Sequence, residues 1–176
     1  MMKRFRKVLL YILIALVTFL IQTSIFSGIH WFAIYPNLLL IITAVFGFMQ
    51  GQKDGILMGF ICGLLMDVMF DSVLGFYMFI FMAVGFFNGY FQRLFYDDDV
   101  KFPVFLVGIS DFGYGIVVYF VRFLLQSDFN FGYYLGHIII PEVVFTCLIT
   151  LIVYRMLLYM NRKIEAIQKR SAGKFV

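Results

Sequence analysis

Six apolar runs, at about 8–26, 37–50, 55–70, 74–92, 102–125 and 135–160, occupy most of the chain. The breaks between them, Ser27–Pro36, Gly51–Asp54, Asp71–Val73, Arg93–Lys101 and Gln126–Tyr134, are too short to hold a soluble domain. Hydrophobic residues make up 63% of the sequence and charged residues 14%, against about 25% charged in an ordinary soluble domain. A water-soluble fold of 176 residues cannot hide that much apolar surface, so the solvent for most of the chain is lipid. The expected fold class is all-α: a single polytopic membrane helical bundle over 1–176, with six transmembrane segments and a basic cytoplasmic tail at 161–176.

Lys3, Arg4, Arg6 and Lys7 resemble the basic start of a secretory signal. The run behind them continues from Val8 past Gln22 to Phe26 with no small-x-small cleavage site, and exceeds the roughly 7–15 residues of a signal core. It reads as a retained first span. With both termini inside, 13 of the 14 basic residues fall on or near cytoplasmic parts and only Arg122 falls outside. That places the protein in a plasma membrane, multi-pass, with its basic ends facing an anionic inner leaflet. The net charge of +4 comes from those tails and gives no reason to expect nucleic acid.

Segments two and three are short. Sixteen residues of helix, 55–70, reach about 24 Å against a hydrocarbon core of about 30 Å. They are short spans or a re-entrant hairpin covered by other protein. The tail, with Arg162, Lys163, Lys169, Arg170 and Lys174 around Ile164 and Ile167, is able to extend the last helix out of the membrane, and either lies on the anionic inner surface or docks a cytoplasmic partner.

Segment three reads GILMGFICGLLMDVMF, with glycine at every fourth position, Gly55, Gly59 and Gly63, and then Asp67. Lipid offers helices no hydrophobic reason to associate, so close approach at small residues is one of the main attractions left. This stripe should press on another helix, and Asp67, one turn on, should face protein. Similar stripes recur: Gly85, Asn88, Gly89 and Gln92 on segment four; Gly108, Asp111, Gly115 and Arg122 on segment five; Glu142, Thr146 and Thr150 on segment six. Asp67, Arg122 and Glu142 share one depth, so Arg122 is expected to bridge Glu142, Asp67 or both. Asp111 lies mid-membrane with no basic residue at its level, within expected reach of Asn88 or a threonine of segment six.

Chemistry-bearing patterns are few. No H-E-x-x-H, G-x-S-x-G or Gly-Lys-Ser/Thr occurs, and Ser110 stands where an intramembrane aspartyl enzyme has glycine before its second aspartate. Cys62 and Cys147 sit in apolar runs without disulfide or metal spacing. His30 and His137 read as interface residues, and Trp31, Tyr133 and Tyr134 as belt residues. No enzyme activity, metal or cofactor is expected. Converging polar stripes also allow a solute cavity lined by Arg122, Asn88 and Asp111.

The run PNLLLIITAVFGFMQGQKDGILMGFICGLLMDVMFDSVLGFYMFIFMAVGFFNGYF, 36–91, resembles the rod shape-determining protein MreD family. The resemblance rests on Pro36 opening segment two, the spaced Gly51, Gly59 and Gly63, Asp67, Leu74–Gly75, and the later Pro141–Glu142 step. Asn37 stands where that family commonly has aspartate. The resemblance implies a non-catalytic scaffold of the elongasome that helps set rod shape, working with MreC, MreB, RodA and a penicillin-binding protein. It also implies a fold similar to the S-components of energy-coupling-factor vitamin transporters. Those dock through A-x-x-x-A on the first helix; here Ala15 is followed by Phe19, which weighs against the alternative of a small-solute transporter subunit.

Overall fold

The computed structural model describes residues 2–27, 35–70, 74–92, 101–126 and 131–172. His30, Trp31 and Lys174 fall outside them, as do the side chains of Lys3, Arg4, Arg122, Arg162, Lys163, Lys169 and Arg170. The described residues are helical almost throughout: α1 Met2–Ser27, α2 Leu38–Gln50, α3 Gln52–Phe70, α4 Phe76–Phe91, α5 Lys101–Gln126, α6 Phe131–Tyr134 and α7 Ile140–Ala172. Three stretches are long and apolar enough to cross a membrane: Lys7–Ser24, Lys101–Val121 and Gly132–Met156. α2 and α4 are shorter apolar helices. At 13 and 16 residues they reach about 20 and 24 Å. Among the described residues three helices thus combine spanning length with an apolar window; α3, at 19 residues, has comparable length but carries Lys53, Asp54 and Asp67.

Local chemistry sets the helix ends. Asn37 opens α2: its side-chain oxygen accepts from the Leu40 N–H at 3.1 Å, satisfying one of the orphan donors of a first turn. Pro36, which is buried, precedes it. α2 ends at Gly51, whose φ of 93° a side chain would strain. Its N–H returns to the Gly47 carbonyl at 2.9 Å. The chain turns on that one residue, and α3 begins at Gln52. Gly51–Asp54, expected as a break, is therefore mostly the first turn of α3, where the acidic Asp54 suits the positive end of a helix. Leu74 and Gly75, expected within segment four, form the turn before α4, with Gly75 at φ 104°.

A five-residue π-helical stretch, Leu135–Ile139, joins α6 to α7. Pro141 follows after one residue, Ile140. Proline has no N–H to offer the carbonyl four residues back, His137, and its ring crowds that carbonyl; the wider turn relieves both. The backbone then stays helical to Ala172, so most of the basic tail continues the last helix.

Helix directions alternate. At one end Lys7 meets Asp54, and Phe48 meets Phe102 and Tyr154. At the other end Gln22 accepts from the Leu39 N–H, and Tyr77 meets Tyr114. α2 is the hub and packs against α1, α3, α4, α5 and α7. Its Leu39, Leu40, Ile41, Ala44 and Val45 are fully enclosed. Bulky side chains such as Leu13 and Leu20 of α1, Phe79 and Phe87 of α4, Phe105 and Phe120 of α5 and Ile152 of α7 are exposed. A soluble protein rarely presents so much contiguous apolar surface; acyl chains are its natural cover.

Glycines report the tightness. A Cβ at Gly59 would stand 2.6 Å from the Phe81 carbonyl carbon, whereas one at Gly113 would meet nothing within 4 Å. Gly59→Ala should lower the thermal unfolding temperature of the detergent-purified protein, at a cost of about 1–3 kcal/mol from overpacking. Gly113→Ala should leave it unchanged or slightly raise it. Differential scanning fluorimetry of the two variants checks both.

Candidate functional site

The narrowest contact in the bundle is the antiparallel crossing of α3 and α4. Gly55 faces the Gly85 carbonyl, Gly59 faces Phe81 and Met82, and Gly63 faces Tyr77 and Met78, so one glycine per turn meets one turn of the opposing backbone. α2 joins the same seam. A Cβ at Gly55 would lie 2.7 Å from the Gly47 Cα, and one at Gly47 would lie 2.6 Å from the Gly85 carbonyl. Gly89 closes the far end against the Gln52 backbone. The Gln92 side chain, one turn beyond Asn88, donates to the Met49 carbonyl at 3.0 Å, a C-terminal oxygen of α2.

Asp67 occupies the next turn of the glycine stripe and is 1% exposed. Its carboxylate accepts three backbone N–H groups where α4 begins: Gly75 at 3.0 Å, Tyr77 at 2.8 Å and Met78 at 3.1 Å. Those are orphan donors of a helix start, and the helix dipole favours an anion there. Charge-assisted bonds of this kind are among the stronger ones available. α3 thus supplies the cap that α4 lacks, since its own preceding residue is the side-chain-free Gly75. The expected bridge from Arg122 to Asp67 or Glu142 falls on a side chain outside the described residues; the partners described for Asp67 are these backbone donors.

A second polar group lies between α4, α5 and α7. Asn88 Nδ2 donates to the Val84 carbonyl at 2.8 Å and to Ser110 Oγ at 2.9 Å, and the Ser110 hydroxyl donates to the Leu106 carbonyl at 2.9 Å. Asn88 therefore meets Ser110 and not Asp111. Gly108 and Gly115 of α5 face Cys147 and Ile139 on the last helix. Between those contacts Asp111 is 2% exposed, beside Thr146 and within electrostatic reach of Glu142. Among the described residues neither Asp111 oxygen nor the Thr146 hydroxyl has a partner at full hydrogen-bond geometry, although the two side chains are neighbours. Thr150 is spent on the Thr146 carbonyl at 2.6 Å. Among the described residues no group of three or more His, Cys, Asp or Glu is placed to hold a metal ion.

Several contacts had no signal in the sequence. Lys7 and Asp54 form an ion pair at 2.7 Å across 47 positions, with Lys7 also 5.7 Å from the Tyr11 ring centroid. Both side chains are partly exposed, so the pair contributes little, about 0–1 kcal/mol. Gly47 joins the seam from a segment whose only other small residues are Thr43 and Ala44. Ser110 partners Asn88 although its neighbour Asp111 is the stronger acceptor by type.

Glycine-packed helices, outward-facing apolar side chains and three stretches fit to cross a membrane define a helical membrane protein. The family model described as rod shape-determining protein MreD matches residues 2–164 of the 176-residue chain, and the protein belongs to that family. Its role is accordingly in rod-shape determination, in association with the shape-determining machinery. No curated protein and no solved structure matches the chain.

Asp67→Asn retains size and one acceptor oxygen but loses the charge and at least one of the three bonds. It should cost about 1–3 kcal/mol. Asp67→Leu, which leaves the α4 donors bare in a buried site, should lower the unfolding temperature further. Thermal unfolding of both variants in the same detergent gives the order.

Proposed function

We propose that the protein is a non-catalytic membrane scaffold of the cell-wall elongation machinery, bridging MreC, MreB and the peptidoglycan synthases RodA and a penicillin-binding protein. The observation that carries this reading is the family match over residues 2–164, and the internal use of the chain's glycine and carboxylate chemistry agrees with it. Gly55, Gly59, Gly63, Gly85 and Gly89 are consumed in holding α3, α4 and α2 together, and Asp67 is consumed in capping α4. Their task in this scaffold is to fix a rigid body, and partners meet its outer faces.

In the proposed topology six segments pass through a bacterial plasma membrane with both termini cytoplasmic. The short α2 and α4 are then accommodated by local thinning of the bilayer and by the helices around them. The basic ends, from Lys3 to Lys7 and from Arg162 onward, meet the anionic inner leaflet or the cytoplasmic filament. The transporter alternative fits less well. Ala15 is 0% and Phe19 7% exposed, so the face of α1 that an S-component uses for docking is turned into the bundle.

Affinity purification of the tagged protein from native membranes in mild detergent, followed by mass spectrometry, tests the reading. MreC and wall-synthesis enzymes should co-purify, and cells depleted of the protein should round up. Co-purification of an ATPase pair with a bound small molecule would instead establish the transporter reading.

A further inference from the structure

The helices around α2 do not close a ring. Among the described residues α1 packs against α2 and α3 but not against α5 or α7, while α7 packs against α5 and α2. A cylinder in close packing takes about six neighbours at helix spacings of about 8–10 Å, and α2 has five. The open position falls between α1 and α7. Its floor is Leu38, Ile42 and Met49, which recur at steps of four and seven on α2 and are partly exposed, while Leu39, Leu40 and Ile41 of the same helix are fully enclosed.

One wall of this seam is polar where lipid would want it apolar. On α7, Val143 and Cys147 are the residues that face Gly108 of α5. Glu142, Ile149 and Val153 recur at steps of seven and four along the flank turned away from that contact. Among the described residues, which do not include the Arg122 side chain, Glu142 makes no hydrogen bond or salt bridge, and behind it lies Asp111, 2% exposed with both oxygens unpartnered there. A carboxyl on the wall of an apolar groove is stabilised by a donor presented from whatever fills the groove.

No part of the chain outside the described residues is long enough to be that filler: the longest such segment is 93–100. A second copy docked here about a twofold axis would bring Glu142 toward its own counterpart, a like-charge approach that disfavours the pairing. A helix from another protein, carrying a cation at the right level, meets both demands.

We propose that the seam between α1 and α7, floored by α2, receives one transmembrane helix of a partner protein that presents a basic side chain to Glu142. The inference rests on the scaffold reading and assigns it a docking surface. It places the partner's helix away from the glycine seam, on the opposite side of α2 from Gly47.

Site-specific photocrosslinking in native membranes tests it. A photoreactive residue at Ile42 or Ile149 should yield an adduct whose crosslinked peptide is a partner's membrane span bearing Lys, Arg or His. The same probe at the exposed Phe87 or Ile152 should not yield it. Glu142→Lys should reduce co-purification of that partner by about tenfold or more, because truncating or reversing one side of a buried charge pair costs several kcal/mol. An acidic substitution of the partner's basic residue should restore it. Size-exclusion profiles of Glu142→Gln and Glu142→Lys establish that the bundle stays folded. Adducts with lipid only, with a second copy of the chain, or with a span lacking a basic residue would overturn the proposal. So would unchanged co-purification when Ile42→Trp fills the seam; in that case the scaffold reading would stand. If no wall-synthesis partner co-purifies with the unaltered protein, both fall.

Discussion

The α3–α4 crossing works because backbone meets backbone. In lipid the gain from bringing two helices together lies in dispersion contact and in the satisfaction of polar groups, not in escape from water. Glycine at Gly55, Gly59, Gly63 and Gly85 removes the side chains that would hold the axes apart. At that distance a short carboxylate on α3 reaches the open start of α4, and Asp67 takes three N–H groups that hydrocarbon would otherwise leave bare. The two effects reinforce each other. Close approach makes the cap possible, and the cap fixes the register at which the glycines meet.

The rest of the bundle is arranged around this hairpin. α2 enters the seam at Gly47, and its other faces are then free to take α1 on one side and α5 with α7 on the other. Among the described residues the polar groups of α4, α5 and α7 divide into a bonded pair, Asn88 Nδ2 with Ser110, and a set without hydrogen-bond partners, the Asn88 side-chain oxygen, both Asp111 oxygens and the Thr146 hydroxyl. The pair ties α4 to α5. Asp111 and Thr146 lie on the α5–α7 side, away from the glycine seam, which is where a rigid scaffold is best able to accept something from outside.

Much of this architecture was legible in one dimension. Unbroken apolar runs gave the segments, because a helix in lipid must be apolar along its whole outer surface. Spacing of four gave the glycine stripe and put Asp67 on it. The order of Pro36, Gly51, Gly59, Gly63, Asp67, Leu74–Gly75 and Pro141–Glu142 carried the family resemblance. The start of α3 was misplaced because Lys53 and Asp54 look like loop residues, yet they sit comfortably on a first turn once a single glycine with positive φ reverses the chain. The three N–H groups that Asp67 accepts were not foreseeable, since a string of residues displays basic side chains but does not display backbone donors. The Lys7–Asp54 pair and the Asn88–Ser110 bond join positions 47 and 22 apart, and no local pattern encodes either.

By itself the sequence determined that the chain is helical, that it lives in lipid, and which face of each segment prefers protein. These are properties of composition and of the 3.6-residue turn, and they need no neighbour to be defined. Only the tertiary structure decided which stripe meets which, that α2 is the hub, and that the buried acid of α3 serves the next helix. Such pairings depend on crossing distances and on where helix ends fall, and both are fixed by the packed bundle as a whole.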